Sequence, residues 1–157
     1  MICVKELNVA DSNIDKYLCG AADIEKICFK DPWSGADIKT MLDNAFCKGY
    51  VICDAENSKK EIVAFCIYSH VLDEAELFRI AVIPEARRNG LGKILLEKML
   101  EDWNRLRISR AFLEVRSSNT AARALYEKYG FKPLGVRKKY YNNAEDAVVY
   151  IRNKVEE

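Results

Sequence analysis

Histidine, proline, glycine and excess charge are all scarce in this chain. Its 157 residues hold one histidine, His70, three prolines and seven glycines. So little proline and glycine excludes a collagen-like or linker-rich chain. One histidine leaves no pair of imidazoles for a metal, and no two of the six cysteines stand at the spacing of roughly two to four residues that zinc sites favour. No structural metal is expected. Lys and Arg number 25 against 24 Asp and Glu, a net charge of +1, so no nucleic-acid surface is expected. No apolar run reaches the roughly 18 residues of a membrane helix. The opening stretch, residues 1–10, carries Lys5, Glu6 and Asn8, which argues against a secretory signal. A cytoplasmic location is expected.

What is present is ordinary globular composition, with 50% hydrophobic and 31% charged residues. The length suits one domain over residues 1–157. Cys3, Cys19, Cys28, Cys47, Cys53 and Cys66 all lie in the first half and are expected as reduced, largely buried thiols. No local signature makes a nucleophile pair of one of them with His70. Arg105, Arg107, Arg110, Arg116, Arg123, Arg137, Lys138 and Lys139 cluster in the second half. A solvated face accounts for them, and part of it is available to an anionic ligand or target.

Helical and extended patterns alternate along the chain. Ile14, Tyr17, Leu18, Ala21, Ile24 and Ile27 share a helical face behind an expected capping box of Ser12 and Asp15. Ser34 and Asp37 repeat the device before Ile38, Met41, Leu42 and Ala45. Residues 50–53, 62–69 and 75–82 read as strands in an antiparallel meander, the first two joined by the turn Asn57-Ser58-Lys59-Lys60. A helix from Leu91 to about Leu106 crosses to a strand at 111–115, and a crossover of that length favours parallel pairing. A helix at 120–129 and strands near 132–140 and 147–152 complete a mixed sheet. The pattern alone defines an α/β or α+β domain.

Residues 79–131 carry the chemistry. Ile80, Ala81 and Val82 run to Pro84, and Arg87 to Gly92 form a glycine-punctuated turn at a helix start, where free amides and the positive end of the helix dipole suit an anion. Gly90 and Gly92 would let a phosphate approach the backbone. A Walker loop is excluded, since Arg87 stands at its first glycine and Ile94 at its hydroxyl position; Leu95 at the third glycine position excludes the dinucleotide motif.

What remains, Arg87-x-x-Gly90-x-Gly92, resembles the pyrophosphate-binding signature of the Gcn5-related N-acetyltransferases, whose donor is acetyl-coenzyme A. About 27 residues after Gly92, Asn119-x-x-Ala122-x-x-Leu125-Tyr126-x-x-x-Gly130-Phe131 resembles a second block of that superfamily. Cys28-Phe29, Pro32-Trp33-Ser34, residues 73–77, Leu113-Glu114-Val115-Arg116, Arg137-x-x-Tyr140-Tyr141 and residues 145–147 extend the likeness to the bacterial ribosomal-protein-alanine N-acetyltransferases of the RimI type. It covers about residues 20 to 150 and is weakest before Cys28 and between Asp37 and Lys60.

The resemblance implies the superfamily's fold: a mixed, mostly antiparallel twisted sheet of about six to seven strands with about four helices, its splayed central strands holding acetyl-coenzyme A. It implies transfer of an acetyl group to the N-terminal alanine of a small-subunit ribosomal protein, by direct attack without an acyl-enzyme. Glu114 is the implied base, since an ordinary α-amino group, titrating near about 7.7 to 8.0, must lose a proton before it attacks. Leu113 and Val115 point to the other face of that strand, so Glu114 is either the base or an exposed carboxylate paired with Arg116. Tyr126 is either the donor to the leaving sulfur or a core aromatic beside Leu125 and Tyr129.

Ile80, Ala81 and Val82 are expected to hydrogen-bond the pantetheine arm as an added strand would, the Val82 amide facing the thioester oxygen. Amides of Arg88, Asn89, Gly90, Leu91, Gly92 and Lys93 would hold the pyrophosphate, and Asn119 the pantetheine or phosphate end. Trp33, Glu74, Tyr140 and Tyr141 are the implied frame of the peptide N-terminus. Two departures fall on that side: Arg79 where asparagine is common, and Asn142-Asn143-Ala144 without the usual proline or glycine. Acetylation of a small amine or a lysine side chain is the second reading. A non-catalytic coenzyme A-binding module is the third, disfavoured because binding alone requires neither Glu114 nor Tyr126.

Overall fold

The structure is a computed structural model and describes residues 1–57, 60–141 and 145–154. Ser58 and Lys59 of the expected turn, the segment 142–144 and the Tyr141 side chain lie outside the described residues. The chain forms β1 (Ile2–Glu6), α1 (Ile14–Cys28), α2 (Gly35–Leu42), β2 (Cys47–Asp54), β3 (Ile62–Val71), β4 (Glu74–Val82), α3 (Leu91–Arg105), β5 (Arg110–Arg116), α4 (Thr120–Lys128), β6 (Lys132–Tyr141) and β7 (Glu145–Asn153). Among the described residues seven strands make one sheet in the order β1-β2-β3-β4-β5-β7-β6. Every pairing is antiparallel except β4 with β5, which is parallel as the α3 crossover requires. The mixed, mostly antiparallel sheet expected from the resemblance is the one observed.

β3 is buried at every residue from Ile62 to Tyr68, as a strand covered on both faces must be. One cover is α1, which approaches so closely that a Cβ on Gly20 would lie 2.5 Å from the Ile62 side chain. The other is α3, whose buried Trp103 meets Tyr68 edge-on at 5.7 Å. Inside that contact Asp102, 1% exposed, accepts from the hydroxyls of Tyr50 and Tyr68 and from Arg105.

The capping box at Ser34 and Asp37 forms as expected, each side chain accepting from the other's backbone N–H. The one at Ser12 and Asp15 does not. Asn13 caps α1 without a side-chain bond, because Asp11 turns the chain first by accepting the Asn13 N–H at 2.8 Å. At the end of α4, Gly130 takes φ +91° and the amides of Gly130 and Phe131 reach back to the carbonyls of Glu127 and Tyr126. That Schellman closure turns the chain into β6. β1, absent from the sequence expectation, is an edge strand that is exposed at four of its five residues and so carries no apolar alternation. The cysteines also differ from expectation: only Cys66 is buried, and Cys3 and Cys19 are exposed.

Candidate active site

The site begins with a break in the sheet. β4 and β5 pair only from Glu74 opposite Arg110 to Leu77 opposite Leu113, although β4 stays paired with β3 as far as Val82 and β5 with β7 as far as Arg116. Past Leu77 the two strands therefore part. The divergence coincides with a bulge: Tyr68 faces Leu77 and Ile67 faces Arg79, so Phe78 is an extra residue on β4.

A cavity of about 630 Å³ fills the gap. Phe78, Arg79 and Ile80 line it from β4, and Glu114, Val115 and Arg116 from β5. α4 contributes Tyr126 with Asn119 at its start, the segment after α1 contributes Phe29 to Asp31 and Trp33, and β6 contributes Tyr140. Of the residues singled out in the sequence, this cavity gathers Trp33, Ile80, Glu114, Asn119, Tyr126 and Tyr140. Glu74 is not brought there. It stands at the opposite end of β4, where the strands are still paired, in a 2.6 Å ion pair with Arg110. Glu76, two residues further on the same face, is the β4 carboxylate that lines the cavity.

Glu114 is three-quarters buried, and Arg137 on β6 donates to its Oε1 at 2.7 Å. The expected neighbour Arg116 instead pairs with Glu145 at 3.2 Å. The reason is register: β7 and β6 bring their own charged side chains across β5, and these outreach the same-strand neighbour. Arg137 also stacks on the Tyr140 ring at 4.1 Å. Burial, and then the charge of Glu114, push the Glu76 carboxyl above its ordinary range.

Tyr126 is 5% exposed, its ring edge-on to Phe131 at 5.9 Å and tilted against Tyr150 at 6.4 Å. It is a core aromatic and a cavity wall at once. Asn119 caps α4, its Oδ1 accepting the Ala122 N–H at 3.2 Å.

The β4 edge toward the gap carries backbone groups. The Ile83 N–H turns to β3, where it donates to the Val63 carbonyl at 3.0 Å. By alternation the N–H and C=O of Val82 and Ile80 turn the other way. The Val82 carbonyl there accepts from Arg87 Nε at 3.0 Å and from the Cys28 thiol at 3.7 Å. Beyond it a 3-10 turn, Pro84–Ala86, leads to Arg88 and Gly90 in the left-handed region, at φ +65° and +76°. Gly90 precedes α3 and offers no side-chain cap, so the first amides of that helix, at 91–93, have no partner within it. A Cβ on Gly90 would project into open space; one on Gly92 would lie 3.7 Å from Leu125, next to Tyr126. Gly90 answers to its φ, and nothing within the protein demands glycine at 92. Ala81, Val82 and residues 88–93 do not line the cavity itself. The loop and the helix start form an amide-rich ledge beside α4, and such a ledge next to a bare strand edge fits a long ligand with a phosphate end.

The basic residues of the second half are largely engaged: Arg105 with Asp102, Arg110 with Glu74, Arg116 with Glu145, Arg137 with Glu114 and Lys138 with Asp146. Sequence reasoning missed Glu25 and Glu76. Glu25 follows Leu18 and Ala21 on the apolar face of α1, and a carboxylate on such a face signals a buried partner.

A parallel pair of strands that separates beside a glycine turn and a helix start is the arrangement expected of the acetyltransferase class that the motifs resemble. The family model of the acetyltransferase (GNAT) family matches residues 19–131, and the chain belongs to that family. Among relatives, it is 39% identical over 146 residues to the ribosomal protein bS18-alanine N-acetyltransferase of Escherichia coli, covering 91% of this chain and 95% of that one. It is 46% identical over 136 residues to the protein of the same name from Salmonella typhimurium, covering 84% and 88%. The crystal structure of the ribosomal-protein-alanine N-acetyltransferase from Escherichia coli superposes with a TM-score of 0.84 at 32% identity, over 100% of this chain and 96% of that one. The NatC complex bound to Gag peptide and CoA shares the fold, with a TM-score of 0.84 at 20% identity over 98% of this chain and 99% of that one.

Proposed function

We propose that this protein is an acetyl-coenzyme A-dependent N-α-acetyltransferase that modifies the N-terminal alanine of a small-subunit ribosomal protein, in the cytoplasm and through one domain spanning the chain. The observation that carries this reading is the meeting of Glu114 and Tyr126 in one cavity beside the bare edge of β4. The relatives named for that reaction support the acceptor.

The donor brings an acyl thioester to the gap. Ile80 offers it N–H and C=O groups and Val82 its N–H, as an added strand would, the Val82 carbonyl being held by Arg87 and Cys28, with the amides of residues 88–93 at its pyrophosphate. Glu114 takes a proton from the α-ammonium of the acceptor, directly or through water, and the neutral amine attacks the thioester carbon. The Val82 amide donates to the carbonyl oxygen as it gains charge. As the adduct collapses and the C–S bond breaks, the Tyr126 hydroxyl protonates the departing sulfur, which leaves as the free thiol, and the second proton of the attacking nitrogen returns to the tyrosine oxygen as the amide forms. Trp33 and Tyr140 frame the acceptor's first residue, and Asn119 offers its side-chain amide to the pantetheine arm.

The test is thiol release from acetyl-coenzyme A with a peptide beginning Ala-Arg-Tyr, a polyamine and an N-blocked lysine peptide. Peptide-dependent release that drops by about 10²-fold or more in Glu114→Gln is the expected result. Release with the other amines alone moves the acceptor to a small amine or lysine side chain. Coenzyme A binding without turnover leaves a binding module.

A further inference from the structure

Arg79, the departure noted on the acceptor side of the sequence, is one-fifth exposed and lines the cavity. Its Nε donates at 3.0 Å to Oε1 of Glu25, a carboxylate with no exposure at all. The other oxygen of Glu25 accepts the Trp33 backbone N–H at 3.2 Å. The same guanidinium lies 4.1 Å from the centre of the Phe29 ring and 4.2 Å from that of Trp33, and donates to the Asp31 carbonyl at 3.3 Å. One side chain on β4 thus reaches three members of the segment 29–33.

That segment joins α1 to α2 without regular structure, and Phe29, Lys30, Asp31 and Trp33 form a wall of the cavity. A planar guanidinium can meet a carboxylate through its edge and two aromatic rings through its faces; an ammonium cannot do both. Burial pushes the Glu25 carboxyl upward and the guanidinium opposes that shift, so the pair depends on both members.

We propose that Arg79 is the positioning residue of the acceptor side: with Glu25 it pins segment 29–33 across the open sheet and so fixes Trp33 where the acceptor's first residue enters. This rests on the reading of the cavity as an amine-acetylating site and adds the residue that sets its acceptor wall. The donor lies along Ile80, Val82 and the loop at 88–93, none of which Arg79 holds, so its effect falls on one substrate.

The test compares wild type with Arg79→Met, Arg79→Lys and the double variant Arg79→Met, Glu25→Gln, which removes both charges should the single change unfold the protein. KM for acetyl-coenzyme A, KM for the acceptor and kcat are measured, with Trp33 emission isolated by difference against Trp33→Phe. Arg79→Met and the double variant are expected to raise acceptor KM about 10-fold or more, with kcat and acetyl-coenzyme A KM within about 3-fold. Arg79→Lys is expected not to restore it. Trp33 emission should shift, and its quenching by acrylamide should rise, without any substrate present. Parallel rises in both KM values, an unchanged acceptor KM or unaltered Trp33 emission overturns the proposal. If wild type acetylates an amine other than the peptide, the acceptor assignment falls and the variants are compared on the amine that is taken. If it turns over none, Trp33 emission alone decides the wall.

Discussion

Arg137 and Glu114 are joined across two strands that are not neighbours. Arg137 lies on β6 and Glu114 on β5, with β7 between them, yet the guanidinium reaches Oε1 at 2.7 Å while resting on the Tyr140 ring. The carboxylate is thus aimed by a partner on the strand beyond its own neighbour. Arg137→Met keeps an unbranched side chain and removes both the donor to Glu114 and the guanidinium over Tyr140. Turnover with the alanine peptide should fall about 10-fold, with KM for acetyl-coenzyme A unchanged in steady-state kinetics.

Tyr126 separates chemistry from packing. Tyr126→Phe keeps the ring contacts with Phe131 and Tyr150, so the melting temperature should stay within a few degrees of wild type. kcat should drop about 10- to 100-fold, because the donor to sulfur is gone. Tyr126→Ala should lose both activity and about 3 to 5 kcal/mol of stability by denaturant unfolding.

Gly90 holds φ +76° with open space around its missing Cβ. Gly90→Ala therefore costs backbone strain alone, about 1 kcal/mol. If these amides hold phosphate, calorimetric affinity for coenzyme A should fall severalfold while that for dephosphorylated pantetheine stays put.

Asp102 contributes to stability in a pH-dependent way. Burial alone would raise its carboxyl pKa, but the donors Tyr50, Tyr68 and Arg105 outweigh burial and hold it below the ordinary carboxylate range. A depressed folded pKa adds stability that is present above the unfolded value of about 3.9 and is lost as pH falls through the folded one. Asp102→Asn should destabilise by about 2 to 4 kcal/mol at neutral pH. Its deficit relative to wild type should shrink below about pH 4, as followed by urea unfolding at each pH.

Much of this was legible because the signals are local. The Ser34 capping box, the glycine after α4, the apolar core of β3 and the parallel β4–β5 crossover all follow from residues close in sequence. Partnerships across the sheet were not. Pairing Glu114 with Arg116 was the short-range choice; Arg137 comes within reach only when β6 folds back along β7. Glu74 was implied as an acceptor residue by the family resemblance, and likeness of residues does not show where β4 leaves β5. The bulge at Phe78 had no residue signature, since phenylalanine suits a regular strand equally well.

The extra residue at Phe78 makes the site depend on counting. Strand residues alternate in which neighbour their peptide groups serve, and the phase at Ile80 and Val82 is set by where the bulge stands. Drawing Phe78 into the regular ladder at unchanged length would turn the Ala81 peptide group toward the gap and those of Ile80 and Val82 toward β3, with every side chain from Arg79 onward changing sides. The register of residues 79–82 against β3 is thus under tighter constraint than the identity of the residue that bulges.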